Sequence, residues 1–319
     1  MNILITSAGR RVGLVQAFKK ELKAQYPESL LITTDLNPEF SPACHFSDKS
    51  IKVGLFTDPD YIPVLLKHSI QNNIRLIIPT LDTELELLSR FRKAFAESKI
   101  DIVLSEEHFI QICNDKNLTA DFFNQKEILT PKIYHPSQLE YPVFIKPKNG
   151  SNSKGIYLAQ KISEIQPVHL DSPDMMFMEY MDPETYDEYT VDTYYSKDHY
   201  LICAVPRIRL KVVGGESNQG ITKKNYLLEI IKTKLSKIPG AVGCITLQFF
   251  VNKNNENEVY GLEINPRFGG GYPFAYNAGA NFPKMIIEEY INLTKVNYSE
   301  YWKDNFVNLR YEKEVFFSK

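Results

Sequence analysis

The stretch "YGLEINPRFGGG", residues 260–271, sets Glu263, Asn265 and Arg267 at alternate positions of a strand and follows them with three glycines. Period-two alternation places all three side chains on one face. An upstream strand, "ITLQFFV" (245–251), is separated from "VYGLEIN" (259–265) by "NKNNENE", a run suited to a solvent-exposed turn. Placing apolar residues opposite apolar ones pairs Leu247 with Ile264, Phe249 with Leu262 and Val251 with Tyr260. That register sets Gln248 opposite Glu263 on the other face, with Asn265 two residues further along. One carboxylate and two amide oxygens form an oxygen-only donor set, which suits a hard divalent ion such as Mg²⁺. Arg267, just beyond, has the geometry to hold phosphate oxygens bidentately. Gly269, Gly270 and Gly271 let backbone approach a ligand. A hairpin with a merely solvated outer face would read the same way, so the rest of the chain has to decide.

The 319 residues are 43% hydrophobic and 24% charged with a net charge of -2, which gives no support to a nucleic-acid or membrane-surface role. No apolar run reaches the roughly 18–20 residues of a bilayer span. "MNILITSAGRR" has its apolar stretch before its arginines and no small-residue cleavage site, arguing against a signal peptide. Cys44, Cys113, Cys203 and Cys244 are widely spaced and read as reduced core cysteines of a cytoplasmic protein.

From residue 1 to 105 short apolar strands ("NILITSAG", "LLITTD", "IRLIIPT", "DIVLS") alternate with amphipathic helices ("RRVGLVQAFKKELKAQ", "YIPVLLKHSIQNN", "DTELELLSRFRKAFAES"). This rhythm predicts a parallel, doubly wound sheet, with Asp82 as an N-cap. From Glu106 the character changes. "SEEHFIQICNDKNLTADFFNQKE" holds two helix-like stretches. "YPVFIKP", "MMFMEYM", "EYTVDTYYS" and "YLICAVPRIRL" then alternate as antiparallel strands do, and "FPKMIIEEYINLT" is a covering helix.

"VFIKPKNGSNSKGIYLA" (143–159) is strand, small-residue loop, strand. Lys146 lies on the first strand, and N–H groups and hydroxyls between Gly150 and Gly155, including Ser151 and Ser153, offer a phosphate cradle or simply an ordinary hairpin turn. It is not a Walker loop, since "IY" follows where Lys-Ser/Thr is required. "MMFMEYM" ends in Glu179, with Tyr180 and Met181 presenting a backbone edge to an adenine, and Glu188 opens the next strand. In "VPRIRLKVVGGESNQG", Arg207 and Arg209 share a strand face before a glycine-rich segment, Val213 to Gly220, expected to be mobile.

In this order, lysine, small-residue loop, carboxylate hinge and Gln…Glu-x-Asn-x-Arg strand pair, the chain resembles the ATP-grasp superfamily, in particular its short carbamoyl-phosphate-synthase-like members. The combination of "LEINPRFGGG" with "FIKPKNGSNSKG" carries the resemblance, which extends over nearly the whole chain. It implies an α/β and α+β architecture. A Rossmann-like preATP-grasp domain (1–105) would precede two α+β subdomains (106–182 and 183–319) with an ATP cleft between them. It also implies roles: Lys116 on phosphate, Lys146 on the α-phosphate and adenine side, Glu179 with Tyr180 and Met181 at the adenine hinge, and Glu188 on ribose. Gln248, Glu263 and Asn265 would hold Mg²⁺, or Mn²⁺ in its place, and Arg267 the transferring phosphate. The hinge-to-ribose spacing is about two residues longer than in many relatives, which leaves Asp187 as an alternative to Glu188. Arg209, with Arg207 and the segment after it, would close over the phosphates. The implied activity is that of an ATP-dependent carboxylate–amine ligase working through an acyl phosphate on small molecules, in the cytoplasm and, as in many relatives of this size, as a homodimer. Phosphorylation of a small acid or carbamate without amide formation, and a non-catalytic ATP-binding module, are the alternatives.

The front domain lacks GxGxxG, having only Gly9 and Gly13 in "SAGRRVG", although Asp35 stands where a ribose-binding acid of a nicotinamide site would. The acceptor is not specified. Its cleft is expected to be lined by "DLNPEFSPACH", by "PTLDTE" and by the loop "RFGGGYPFAYNAGAN". Tyr272, Phe274 and Tyr276 would give that loop bulk, and Asn277 and Asn281 its hydrogen bonds.

Overall fold

The structure, a computed structural model, describes residues 1–148 and 155–318. Its first sheet holds β1 (Asn2–Ile5), β2 (Leu31–Asp35), β3 (Lys49–Lys52), β4 (Ile74–Ile78) and β5 (Asp101–Ile102), all parallel, in the order β3-β2-β1-β4-β5. Ile3, Leu4, Ile5, Leu31, Ile32, Leu76 and Ile77 are fully buried. Helices cover both faces of such a sheet, so its central strands are buried almost throughout and do not alternate. β3 is not foreseen by the periodicity, because Ile51 is its only buried residue. Strand order reverses between β1 and β4, and in open parallel sheets the crevice beyond the strand ends at such a point is where ligands sit.

Two expectations change here. The stretch 82–98 is not one helix but two, Asp82–Arg90 and Arg92–Glu97, broken at Phe91. Asp82 is not the N-cap: that position belongs to Leu81, and the buried Glu84 carboxylate accepts from the backbone N–H of Thr80. The same carboxylate takes the hydroxyls of Thr6, Ser7 and Tyr61, tying the β1 and β4 ends together. This leaves the Asp82 side chain available for a distant partner.

A four-stranded antiparallel sheet follows: β6 (Ile133–Tyr134), β7 (Val143–Pro147), β8 (Tyr157–Ala159) and β9 (Met175–Glu179), in the order β6-β9-β7-β8. The largest sheet is built from β10 (Tyr186–Tyr195), β11 (Leu201–Val213), β12 (Glu216–Thr222), β13 (Gly243–Asn252), β14 (Val259–Asn265) and β15 (Val307–Leu309), in the order β14-β13-β10-β11-β12-β15. The segment expected to be mobile, 213–220, is mostly the strand β12, paired to β11 and β15. The turn itself is Gly214 and Gly215, whose φ values of 58° and 78° favour glycine. Polar residues hid this strand, as "ESNQGIT" has no apolar alternation.

The hairpin β13–β14 keeps the expected register only at its polar end. Leu247 pairs with Ile264 and Gln248 with Glu263, but a bulge then shifts Phe249 to Gly261 and Val251 to Val259. The pairings of Phe249 with Leu262 and Val251 with Tyr260 are therefore replaced. The cause is Phe123 of the helix Lys116–Gln125, whose ring packs where a Cβ on Gly261 would lie, 2.5 Å away. The extra residue, Leu262, lets Val259 and Gly261 face the core while Glu263 stays on the opposite face.

The loop expected after Gly271 is instead the helix Tyr272–Ala278, followed by the helix Phe282–Tyr290. Tyr272 and Phe274 are buried in the core, Asn277 donates to its own helix at Pro273, and Asn281 caps the next helix at the N–H of Lys284. All four cysteines are unpaired, and three of them (Cys44, Cys203, Cys244) are buried. Among the described residues no helix is long and apolar enough to cross a membrane.

Candidate active site

Opposite residues in an antiparallel pair share a face, so the registers of β11, β10, β13 and β14 describe a floor in rows. Arg207, Thr190, Gln248 and Glu263 form one row, and Asp192, Thr246 and Asn265 stand in the next. On the other side Glu188 lies beside Phe250. Over this floor, with Lys146 of β7 and the β9 end forming the opposite wall, opens a cleft of about 470 Å³. Its lining includes Lys116, Lys146, Glu179, Tyr180, Met181, Glu188, Arg209, Gln248, Glu263, Asn265 and Arg267, so the fold gathers into one place side chains spread over more than 150 residues of sequence. Gly150, Ser151 and Ser153 lie outside the described residues. Gly155, which follows them, has a φ of 71°.

Individual contacts refine the expectations. Among the described residues Glu263 and Gln248 make no side-chain hydrogen bond and no ion pair, and both face the cleft. Asn265 Oδ1 accepts from Arg267 Nη2 at 3.2 Å, and an amide oxygen has a second lone pair to offer. One unpartnered carboxylate flanked by two amide oxygens fits Mg²⁺, which typically takes one or two carboxylates and completes its shell with phosphate and water. No group of three or more His, Cys, Asp or Glu suited to a metal exists among the described residues, so a site built on carboxylates alone is not on offer.

The Lys146 ammonium has no hydrogen-bond partner among the described residues. Burial, then repulsion from Lys116, lowers its pKa to about 8, against the pull of Glu263. Burial also lowers the pKa of Lys116, whose Nζ donates to the carbonyls of Pro147 at 2.7 Å and Lys148 at 2.6 Å. Two of its three donors thus fix the end of β7, a structural duty that the sequence did not suggest. Glu179 Oε2 accepts from the N–H of Lys132 at 3.1 Å, anchoring the hinge. Glu188 and Arg209 bind each other, and Arg209 Nη2 also donates to the carbonyl of Gly215 at 2.7 Å. Burial raises the Glu188 pKa against that pairing. Asp187 points to the other face of β10, where it meets Lys253 at 3.7 Å, so the geometry favours Glu188 as the cleft carboxylate.

Arg267 is tied to the front domain. Its Nε donates to Asp82 Oδ2 at 2.8 Å, joined by Nη2, and its Nη1 donates to the carbonyl of Phe268 at 3.1 Å. Arg11 joins the same seam, donating through Nη1 to Phe268 O and through Nη2 to Thr80 O, both at 2.8 Å. Its pKa falls to about 10, first through burial and then through Arg267. Sequence reasoning missed Arg11 and the Asp82 contact. The one available signal was their position at the ends of β1 and β4, where the sheet order reverses. From "PTLDTE" only these contacts reach the site, and "DLNPEFSPACH" does not line the cleft. Asp35, the candidate nicotinamide-ribose acid, accepts from the N–H groups of Gly9 at 2.9 Å and Asn37 at 3.0 Å and so holds its own loop.

Residues 3–103 match the family described as PylC-like, N-terminal domain, and residues 171–313 match ATP-grasp in the biosynthetic pathway with Ter operon. A carbamoyl-phosphate synthase of Methanobrevibacter smithii is 20% identical over 226 residues, and this chain spans 59% of that relative's length and 63% of its own. Among solved structures, N5-carboxyaminoimidazole synthetase from Staphylococcus aureus complexed with ADP superposes with a TM-score of 0.70 at 16% identity, covering 97% of this chain and 79% of that one. The biotin carboxylase domain of Hydrogenobacter thermophilus 2-oxoglutarate carboxylase, with MgADP, ADP and bicarbonate, gives 0.71 at 13% identity over 96% and 73%. An L-amino acid ligase from Bacillus licheniformis gives 0.66 at 14% over 91% and 73%. The chain is an ATP-grasp protein with a preATP-grasp domain at its front.

Proposed function

We propose that the chain is an ATP-dependent carboxylate–amine ligase that forms an amide through an acyl phosphate and releases ADP and phosphate. The observation that carries this reading is the pairing of Glu263, a carboxylate with no partner among the described residues, with two cations, Lys116 and Lys146, across one cleft whose floor also presents Gln248 and Asn265. The adenine would lie at Glu179, Tyr180 and Met181, with ribose beside Glu188. Gln248, Glu263 and Asn265 would hold Mg²⁺, which when bound neutralises phosphate charge and orients the triphosphate. Lys146 and Lys116 face the triphosphate. Arg267, oriented by Asp82, meets the γ-phosphoryl group as a carboxylate oxygen of the acceptor attacks phosphorus and the bond to the β-phosphate oxygen breaks. Arg209 joins them by leaving or sharing Glu188. The amine then attacks the acyl carbon, a C–N bond forms, phosphate departs and the amine loses a proton. Phosphoryl transfer of this kind needs positioning and charge stabilisation and no protein nucleophile. Excluding water would protect the acyl phosphate, a task suited to the β11–β12 hairpin.

A matrix of carboxylic acids against amines, scored for ADP and for amide by mass spectrometry, tests the reading. Amide formed in step with ADP, only when both substrates are present, is the expected result. ADP release that proceeds with the acid alone and yields a stable phosphorylated product would instead establish a phosphotransferase.

A further inference from the structure

The stretch "DLNPEFSPACH" does not line the cleft, yet it carries a contact that nucleotide binding leaves unused. Its turns Pro38–Phe40 and Pro42–Phe46 each start with a proline. Ser41 Oγ and the N–H of Ala43 both donate to the carbonyl of Gly9, at 2.9 and 3.0 Å, which fixes this platform to the end of β1. On it lies Phe317, its ring centroid 4.6 Å from that of His45 and 6.4 Å from that of Phe40. His45 Nε2 donates to the carbonyl of Glu39 at 2.8 Å, so the ring beneath Phe317 is itself held. Phe317 is 46% exposed where Phe316 beside it is 85% exposed, and only the first is seated.

The chain reaches this platform from the β11–β12 hairpin. β15 pairs with β12, and the N–H of Arg310 continues the ladder by donating to the carbonyl of Asn218 at 2.8 Å. Arg310 Nη1 binds Glu216 of β12, which aims Nη2 at the carbonyl of Gly270, 2.6 Å away beyond the end of β14. Glu216 and Gly270 both line the cleft, and a Cβ on Gly270 would lie 2.7 Å from Glu216 Oε1, so hairpin and glycine run close on each other here. From 310 to 317 the chain can span at most about 25 Å. Glu312, Lys313 and Glu314 between the two contacts are exposed, and among the described residues 311–318 make no backbone hydrogen bond. The Arg310–Glu216 pair is partly exposed, and such pairs hold weakly. The segment is therefore pinned near its two ends by contacts that open locally at little cost.

Resting on the ligase reading for what it protects, we propose that residues 310–318 are a latch holding the β11–β12 hairpin down on Gly270. The hairpin lifts to admit the second substrate when Phe317 leaves His45 and Arg310 leaves the Gly270 carbonyl. β15 moves with β12, whereas Gly270 and His45 belong to the floor and the front domain, so both pins join a moving part to fixed ones. The adenine end of the cleft, at Glu179 to Met181, is built on β9 and lies apart from both pins. With the latch closed, water is kept from the phosphoryl group. With it broken, water attacks the γ-phosphorus and the bond to the β-phosphate oxygen breaks, giving ADP and phosphate with no acyl phosphate formed.

The test uses the full chain beside Phe317→Ala, a chain stopped after Leu309, and a His45→Cys, Phe317→Cys protein whose two thiols are joined by a short reducible cross-linker. ADP release from Mg·ATP alone and calorimetric affinity for a non-hydrolysable ATP analogue are read for each. The two unlatched proteins should release ADP about tenfold or more faster than the wild type, with nucleotide affinity within about twofold. With an acid and amine pair that turns over, the tied protein should lose about tenfold or more in amide formation and regain it on reduction. If the shortened chain fails to fold, Phe317→Ala, which removes a half-exposed ring, decides alone. Unlatched proteins that release ADP at the wild-type rate, or a tied protein as active as its reduced form, overturn the latch and leave ligation standing. If no pair yields amide, ligation falls and the ADP comparison still decides the latch: faster release upholds it, and equal or slower release overturns it.

Discussion

Lys146 carries a charge that its surroundings oppose, since burial and the neighbouring Lys116 bring its pKa to about 8. The protonated form attracts phosphate, so the sign follows directly. Mg·ATP affinity should be level below pH 8 and fall as pH rises through that value, by up to roughly tenfold per pH unit until the raised pKa of the bound state is passed. Lys146→Arg should bind with no such decline to pH 9.5. Calorimetry across pH 7–9.5 checks both, and an equally flat wild type would contradict the placement. Lys146, Gln248 and Glu263 were legible in the sequence because strand period alone decides which way they point. Arg11 was not, because its partner Phe268 lies 257 residues away and only the folded chain brings them together. Lys116 was half legible: its type and place suggested phosphate, but its grip on the β7 carbonyls depends on tertiary geometry.

The helix that begins at Asp82 and the bulge at Leu262 are where elements depart from their sequence patterns, and both departures serve the site. Asp82 had the spacing of a cap, but Glu84 reaching back to Thr80 released it to orient Arg267. Asp82→Asn should therefore reduce kcat by about 10–100-fold, a few kcal/mol of lost orientation, with Mg·ATP affinity nearly unchanged. Steady-state kinetics beside calorimetry measures that split, and a loss confined to nucleotide affinity would contradict the assignment. The bulge depends on Phe123 occupying the space over Gly261, a long-range contact that pairing rules within a hairpin cannot anticipate. Gly261→Ala should cost about 1–3 kcal/mol by overpacking, read from urea denaturation. A variant as stable as the parent would mean that the ring moves aside freely and does not set the register.

Across the whole molecule, the parallel front sheet and the antiparallel floor meet at one seam, where Arg11, Asp82, Arg267 and Phe268 connect the crevice between β1 and β4 to the end of β14. Architecture was readable from the change of rhythm near residue 105, since runs buried on both faces and strands buried on one face have different periods. The polar strand β12 and the short β3 were not readable, because neither has an apolar face to announce it. The seam makes the cleft a joint product of the front domain and the two later sheets, and it is the cleft's cation seat on which the functional account rests. A crystal structure with Mg·ADP tests that seat most directly. The account predicts a metal about 2.0–2.1 Å from a Glu263 carboxylate oxygen, with adenine against Glu179–Met181. Nucleotide bound elsewhere, or bound here with Glu263 turned away into solvent, would contradict it.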